Sequence, residues 1–161
     1  MSNNEFRPTT FADYSGQEET KEYLKLKVEA FKKTGKASGH VLFLGPSGLG
    51  KTTIANVYSK ELGVGFHQLM ATRIQSFSDI TNLLSTVKEN DIVFIDEMHA
   101  LNSRMQEELY GVMEDFAYDE YDSYFDKNIR VSLPKFTLIG ATTHAGNLNT
   151  PLLSRFQDRI E

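Results

Sequence analysis

Hydrophobic positions along the chain follow two alternating periods. From Gln17 to Lys33, Leu24, Val28 and Phe31 recur at helical spacing with Tyr23, Leu26 and Ala30 widening the stripe, and Gly35 follows as a C-cap. His40 to Leu44 is then almost wholly apolar, as expected of a strand buried on both faces of a parallel sheet. Gly45 to Gly50 interrupts it, and a second helix is expected from Lys51 to Leu62, stopping at Gly63. Gly65 to Met70 is a weaker strand candidate. Ser76 and Asp79 resemble a capping box ahead of Phe77, Ile80, Leu83, Leu84 and Val87, which predict a third helix ending near Asn90. Ile92 to Ile95 is a second buried strand, and it stops at Asp96-Glu97. Ser103 and Gln106 form another capping signal before Met105, Leu109, Val112, Met113 and Phe116, and Phe136 to Ile139 supplies a further strand ahead of Gly140-Ala141-Thr142-Thr143. Strands alternating with helices predict an α/β fold with a parallel sheet and crossover connections.

Composition narrows the class. With 161 residues, 40% hydrophobic and 24% charged, the chain fits one globular domain, and its lack of cysteine excludes disulfides and thiolate metal sites. No apolar run approaches the length of a membrane helix, so the expectation is a soluble, cytoplasmic protein. The net charge of −5 is local: Glu114, Asp115, Asp119, Glu120, Asp122 and Asp126 fall in one stretch without a base, and the remainder is nearly neutral. A domain gripping DNA through a broad basic face would not look like this.

The chemistry sits at the ends of the apolar runs. Gly45-Pro46-Ser47-Gly48-Leu49-Gly50-Lys51-Thr52 satisfies G-x-x-x-x-G-K-[ST] between a strand and a helix. Such a loop turns main-chain N–H groups and a helix N-terminus toward phosphate oxygens; Lys51 neutralises the β- and γ-phosphates and the Thr52 hydroxyl ligates Mg²⁺. Asp96, at the end of a buried strand, is placed to hold the magnesium shell, and Glu97 to orient and deprotonate the attacking water. Thr143 can hold that water or the γ-phosphate. Thr150 to Phe156 reads as an N-cap, a first-turn proline and a short helix carrying Arg155. The four histidines, His40, His67, His99 and His144, form no zinc pattern, and His99 reads as a packing residue or a support for a neighbouring group rather than a ligand.

Several segments together resemble the ATPase domain of the RuvB-like Holliday junction branch-migration ATPases, a branch of the AAA+ P-loop NTPases. They are Arg7-Pro8, Tyr14 to Gln17, Gly45 to Thr52, Phe94 to His99, Leu109-Tyr110, Met113 to Phe116, Phe136 to Thr143 and Pro151-Leu152. The resemblance implies an αβα sandwich with strand order 5-1-4-3-2, ATP and Mg²⁺ as ligands, Gly45 to Thr53 as the nucleotide loop, and Asp96 and Glu97 as the Walker B pair. It implies Thr143 as sensor 1, Tyr14 and Ser15 beside the adenine, and Arg155 as an arginine finger acting on the neighbouring subunit of a homohexameric ring. Ser15 departs from the family's usual aliphatic residue. The family's partner-docking hairpin corresponds to 117–133, here acidic and Tyr-rich, which leaves the identity of a RuvA-like partner open. Strand five is expected to begin near Ile160, so 1–161 reads as a single domain lacking all or part of that strand, the helical lid and the winged helix through which branched DNA is mainly bound. It is either a piece of a longer protein or a short relative. Two further readings stay open: a clamp-loader-like subunit, since Ser154-Arg155 also resembles that finger, and a non-hydrolytic nucleotide-binding regulator.

Overall fold

The computed structural model describes residues 8–37, 39–46 and 50–161. Five parallel strands, β1 (His40–Leu44), β2 (Phe66–Met70), β3 (Ile92–Asp96), β6 (Thr137–Thr142) and β7 (Phe156–Ile160), form one sheet in the order β2-β3-β6-β1-β7. Successive residues of a strand face opposite sides of the sheet. Val41, Phe43, Ile92, Phe94, Ile139 and Ala141 accordingly pack against α1 (Glu18–Thr34) and α2 (Lys51–Leu62). Leu42, Val93, Ile95 and Leu138 pack on the other face against α3 (Phe77–Leu84), α4 (Ser103–Asp115) and α5 (Thr150–Ser154). The three central strands are therefore buried on both faces, which is why they read as unbroken apolar runs. β4 (Ala117–Asp122) and β5 (Lys127–Ser132) form a separate antiparallel hairpin. No helix among the described residues is long and apolar enough to cross a membrane.

The αβα architecture and the 5-1-4-3-2 order match expectation, but three details are corrected. The fifth strand is present, starting at Phe156 rather than near Ile160. It pairs with β1 across a register shift and is held to α1 by Asp158, which accepts from the Tyr23 hydroxyl and pairs with Lys27 at 3.6 Å. α3 ends at Leu84, well before Asn90, because Ser85 and Thr86 turn their hydroxyls back onto Asn82 O (2.6 Å) and Leu83 O (2.7 Å) and the chain tightens into i−3 turns. α4 is capped by Asn102, whose side chain accepts from Met105 N at 2.8 Å; Gln106 instead donates to Leu101 O at 2.9 Å and accepts from Asn149 N at 2.7 Å.

Gly140 shows how tightly the central strand is covered. A Cβ there would stand 2.0 Å from Met98 Sδ and 3.2 Å from Phe156 Cζ. Met98, fully buried one residue beyond Glu97, occupies the space that glycine leaves and anchors the turn carrying the acidic pair.

Candidate active site

The carboxyl ends of β1, β6 and β3 lie side by side, and each ends in residues singled out from the sequence. After β1 the chain turns at Gly45, whose N–H donates to Thr142 O at 3.2 Å. Ser47, Gly48 and Leu49 lie outside the described residues; Pro46 is exposed. The loop closes at Gly50, the N-cap of α2, with φ of 78° in the left-handed region that favours glycine. Lys51, Thr52 and Thr53 then form the first turn of α2, all half-buried, so a helix N-terminus faces the loop.

Lys51 donates from Nζ to Gly45 O, bridging the two ends of the loop. Burial lowers its pKa, and the nearby carboxylates of Asp96 and Glu97 oppose that shift. The cation and the two acids thus share one electrostatic site although they belong to different elements. Asp96, the last residue of β3, accepts from Glu97 N at 2.9 Å. Glu97 adopts a left-handed φ of 56°, an unusual backbone for a glutamate, which turns the chain sharply at the strand end.

Two residues of lesser rank in the sequence are drawn into this site. His99 Nε2 lies 3.1 Å from Glu97 Oε2, and His99 Nδ1 lies 2.9 Å from Thr142 Oγ1. Thr142 Oγ1 also accepts from His144 N at 3.0 Å, and the His144 ring stands edge-on to His99 with centroids 5.1 Å apart. The sensor candidate Thr143 sits exposed just past β6, whereas Thr142 is buried. Only the three-dimensional pairing of two chain segments joins His99 to Thr142, so spacing along the chain carried no signal for it.

Tyr14 packs where the loop closes at Gly50: its hydroxyl donates to Gly50 O at 3.3 Å, and its own carbonyl accepts from Lys21 Nζ at 2.7 Å. A Cβ on Gly50 would meet the Tyr14 hydroxyl at 2.6 Å. Ser15 is exposed. Among the described residues, no group of three or more acidic or histidine side chains could cage a metal by itself. The donor set at this edge, one hydroxyl from Thr52 and one carboxylate from Asp96, suits Mg²⁺, which keeps waters and takes phosphate oxygens as its remaining ligands.

Arg155 lies elsewhere. Phe156, the next residue, pairs with His40 at the start of β1, so Arg155 stands at the amino edge of the sheet. A five-residue strand separates it from the loop after Leu44, which is roughly 15 Å at the usual rise per residue. Arg155 Nε is buried and has no hydrogen-bond partner among the described residues, and the side chain lines a cavity of about 630 Å³ together with His40, Asn90, Phe116, Lys135 and Phe136.

The hairpin projects from α4, to which Arg130 ties it through Asp115 (3.1 Å), while the Arg130–Asp119 pair (3.4 Å) bridges its two strands. Its outer end carries exposed Tyr121, Tyr124, Phe125 and Ile129 among the acids.

Comparison with known proteins gives a consistent result. The sequence model of the family described as the Holliday junction DNA helicase RuvB P-loop domain matches residues 6–160. The chain is 46% identical over 152 residues to the Holliday junction branch migration complex subunit RuvB of Campylobacter hominis, covering 93% of this chain and 45% of that protein. The subunit of the same name from Campylobacter curvus is 44% identical with the same coverage. The solved structure of the Thermotoga maritima RuvB Holliday junction branch migration motor superposes with a TM-score of 0.81 at 37% identity, covering 97% of this chain and 48% of that one. The chain therefore spans about half the length of the relatives it matches.

Proposed function

The chain belongs to the Holliday junction DNA helicase RuvB P-loop domain family, and from that premise we propose that residues 1–161 form the ATP-binding and ATP-hydrolysing AAA+ domain of a cytoplasmic RuvB-like motor that migrates branch points in DNA recombination and repair. The observation that carries the reading is the convergence of Lys51, Asp96 and Glu97 on one sheet edge, with β6 between the strands that bring them. ATP phosphates lie on Gly45 to Thr52, and the half-buried ammonium of Lys51 neutralises the β- and γ-oxygens. Thr52 and Asp96 would hold Mg²⁺, which would supply positive charge to offset that on the phosphate oxygens. Glu97 accepts a proton from the water that attacks the γ-phosphorus, and ADP with its bound β-phosphate oxygen is the leaving group. Thr143 holds that water or the γ-phosphate, and Tyr14 and Ser15 border the adenine side.

Arg155 cannot reach the loop of its own chain from the far edge of the sheet, which supports an action on the nucleotide of a neighbouring subunit in a homohexameric ring. There it stabilises charge on the transferred phosphoryl group. Branched DNA is held mainly by parts of the motor beyond these residues. The acidic, aromatic hairpin 117–133 suits a partner protein with an apolar pocket and a basic rim.

Titration calorimetry with ATP in the presence of Mg²⁺ tests the reading. The parent chain should bind, and Lys51→Ala should bind at least tenfold more weakly, since a charge-assisted contact contributes about 1.5 to 3 kcal/mol. Equal affinities would reject the site.

A further inference from the structure

We propose that His99 is a positioning residue for Glu97: it donates from Nε2 to the carboxylate, and Thr142 holds the ring in the tautomer that can do so. The proposal rests on the reading of Glu97 as the base. For a neutral imidazole the direction of each hydrogen bond follows from which groups can donate. Ionised Glu97 only accepts, so across the 3.1 Å contact the proton belongs to His99 Nε2. In the neutral ring Nδ1 is then an acceptor, so across 2.9 Å the Thr142 hydroxyl must donate to it. A hydroxyl that donates can still accept, and His144 N supplies that bond at 3.0 Å. The chain therefore runs His144 N–H to Thr142 O–H to His99 Nδ1, and His99 Nε2–H to Glu97. The opposite tautomer would set a ring lone pair against a carboxylate.

The arrangement has a mechanical consequence. Glu97 stands on a left-handed turn at the end of β3, and without a partner its side chain would sample several rotamers. The His99 bond selects among them. Its anchor, Thr142, also accepts from Gly45 N at 3.2 Å through its carbonyl, so one residue at the end of β6 touches both the phosphate loop and the support of the base. The ring is 19% accessible at its side chain and is flanked by the His144 ring, so the two hydrogen bonds and this edge-on contact together fix its orientation.

The first test is ¹⁵N NMR of the histidine rings in the 161-residue chain. His99 should be protonated at Nε2, and Thr142→Val should shift its resonances while Thr142→Ser leaves them close to parent. A ring protonated at Nδ1 alone would overturn the proposal, and this measurement needs no turnover. The second test is single-turnover hydrolysis. His99→Phe, which keeps the ring and removes the donor, should slow hydrolysis roughly ten- to hundred-fold with nucleotide affinity unchanged. His99→Gln, whose amide places a donor near the Nε2 position, should recover most of the rate. In a Glu97→Gln background His99→Phe should have no further effect. Parent-like hydrolysis by His99→Phe, or a loss of ATP affinity matching the loss of rate, would overturn it. Where ring formation is demonstrated, a parent chain that binds ATP without hydrolysing it would count against Glu97 as base, and the tautomer would still decide whether His99 donates to it.

Discussion

Acid should destabilise this domain through His40, whose ring is held neutral at the start of β1. Its Nδ1 accepts from Leu138 N at 2.8 Å, and its Nε2 faces Met113 O at 3.4 Å. Burial pushes its pKa down to about 4; the Met113 carbonyl opposes this, while Arg155 and Lys27 add to it. The folded value thus lies below the unfolded value of about 6.5. The unfolded chain takes up the extra proton, so this stability is fully present above pH 6.5 and is lost as pH falls toward 4. Integrating the linkage gives a loss of about 2 kcal/mol between pH 7 and pH 5 and a ceiling of about 3 kcal/mol below pH 4. Protonation would also turn Nδ1 into a donor facing the Leu138 N–H, removing that amide's acceptor. Urea unfolding at pH 7, 6 and 5 measures the effect, with His40→Gln as the comparison that does not titrate. The parent should lose about 2 kcal/mol more than the variant over this range. Parallel pH dependences in the two proteins would refute the reasoning.

Gly140→Ala should lower stability by about 1 to 3 kcal/mol, the usual cost of overpacking, because its Cβ meets Met98 Sδ. Thermal melts should show Met98→Ala relieving part of that loss; additive effects of the two changes would contradict the steric account. Mixing Lys51→Ala chains with Arg155→Ala chains, each inactive alone, should restore part of the ATPase under conditions where ring formation is demonstrated, since some interfaces then pair an intact loop with an intact arginine. Full activity in Arg155→Ala alone would return that residue to a structural role. The isolated chain should bind four-way junctions weakly and with a shallow salt dependence, given its net charge of −5; tight binding with a steep slope in a salt series would contradict it.

What could be read from the sequence follows from where each element lies. β1 and β3 are covered on both faces, so their apolar runs marked them almost to the residue. β2 lies at the sheet edge and is only half-buried, which is why it was the weakest of the strands. β7, at the other edge, alternates buried Phe156 with exposed Gln157 and Arg159 and joins β1 through a register shift, so its start could not be placed. Beyond buried Ala117 the hairpin is largely exposed and has no apolar period; only its resemblance to a known family located it. In the site, the loop and the acid pair are local motifs and were legible. The His99–Thr142 bond joins residues 43 apart through a crossover and a parallel pairing, and no local pattern encodes it.

The central claim is that Glu97 acts as the base on a nucleotide held at Lys51, and rapid-quench measurement of MgATP hydrolysis with enzyme in excess tests it most directly. Under conditions where ring formation is demonstrated, the parent should convert bound ATP to ADP in a Mg²⁺-dependent reaction, slowly in the chain alone. Glu97→Gln should bind ATP with parent affinity and hydrolyse it on the order of 10²- to 10⁴-fold more slowly, the range assigned to a positioned general base. Equal rates in the two proteins, or a variant that loses ATP binding together with hydrolysis, would contradict the account.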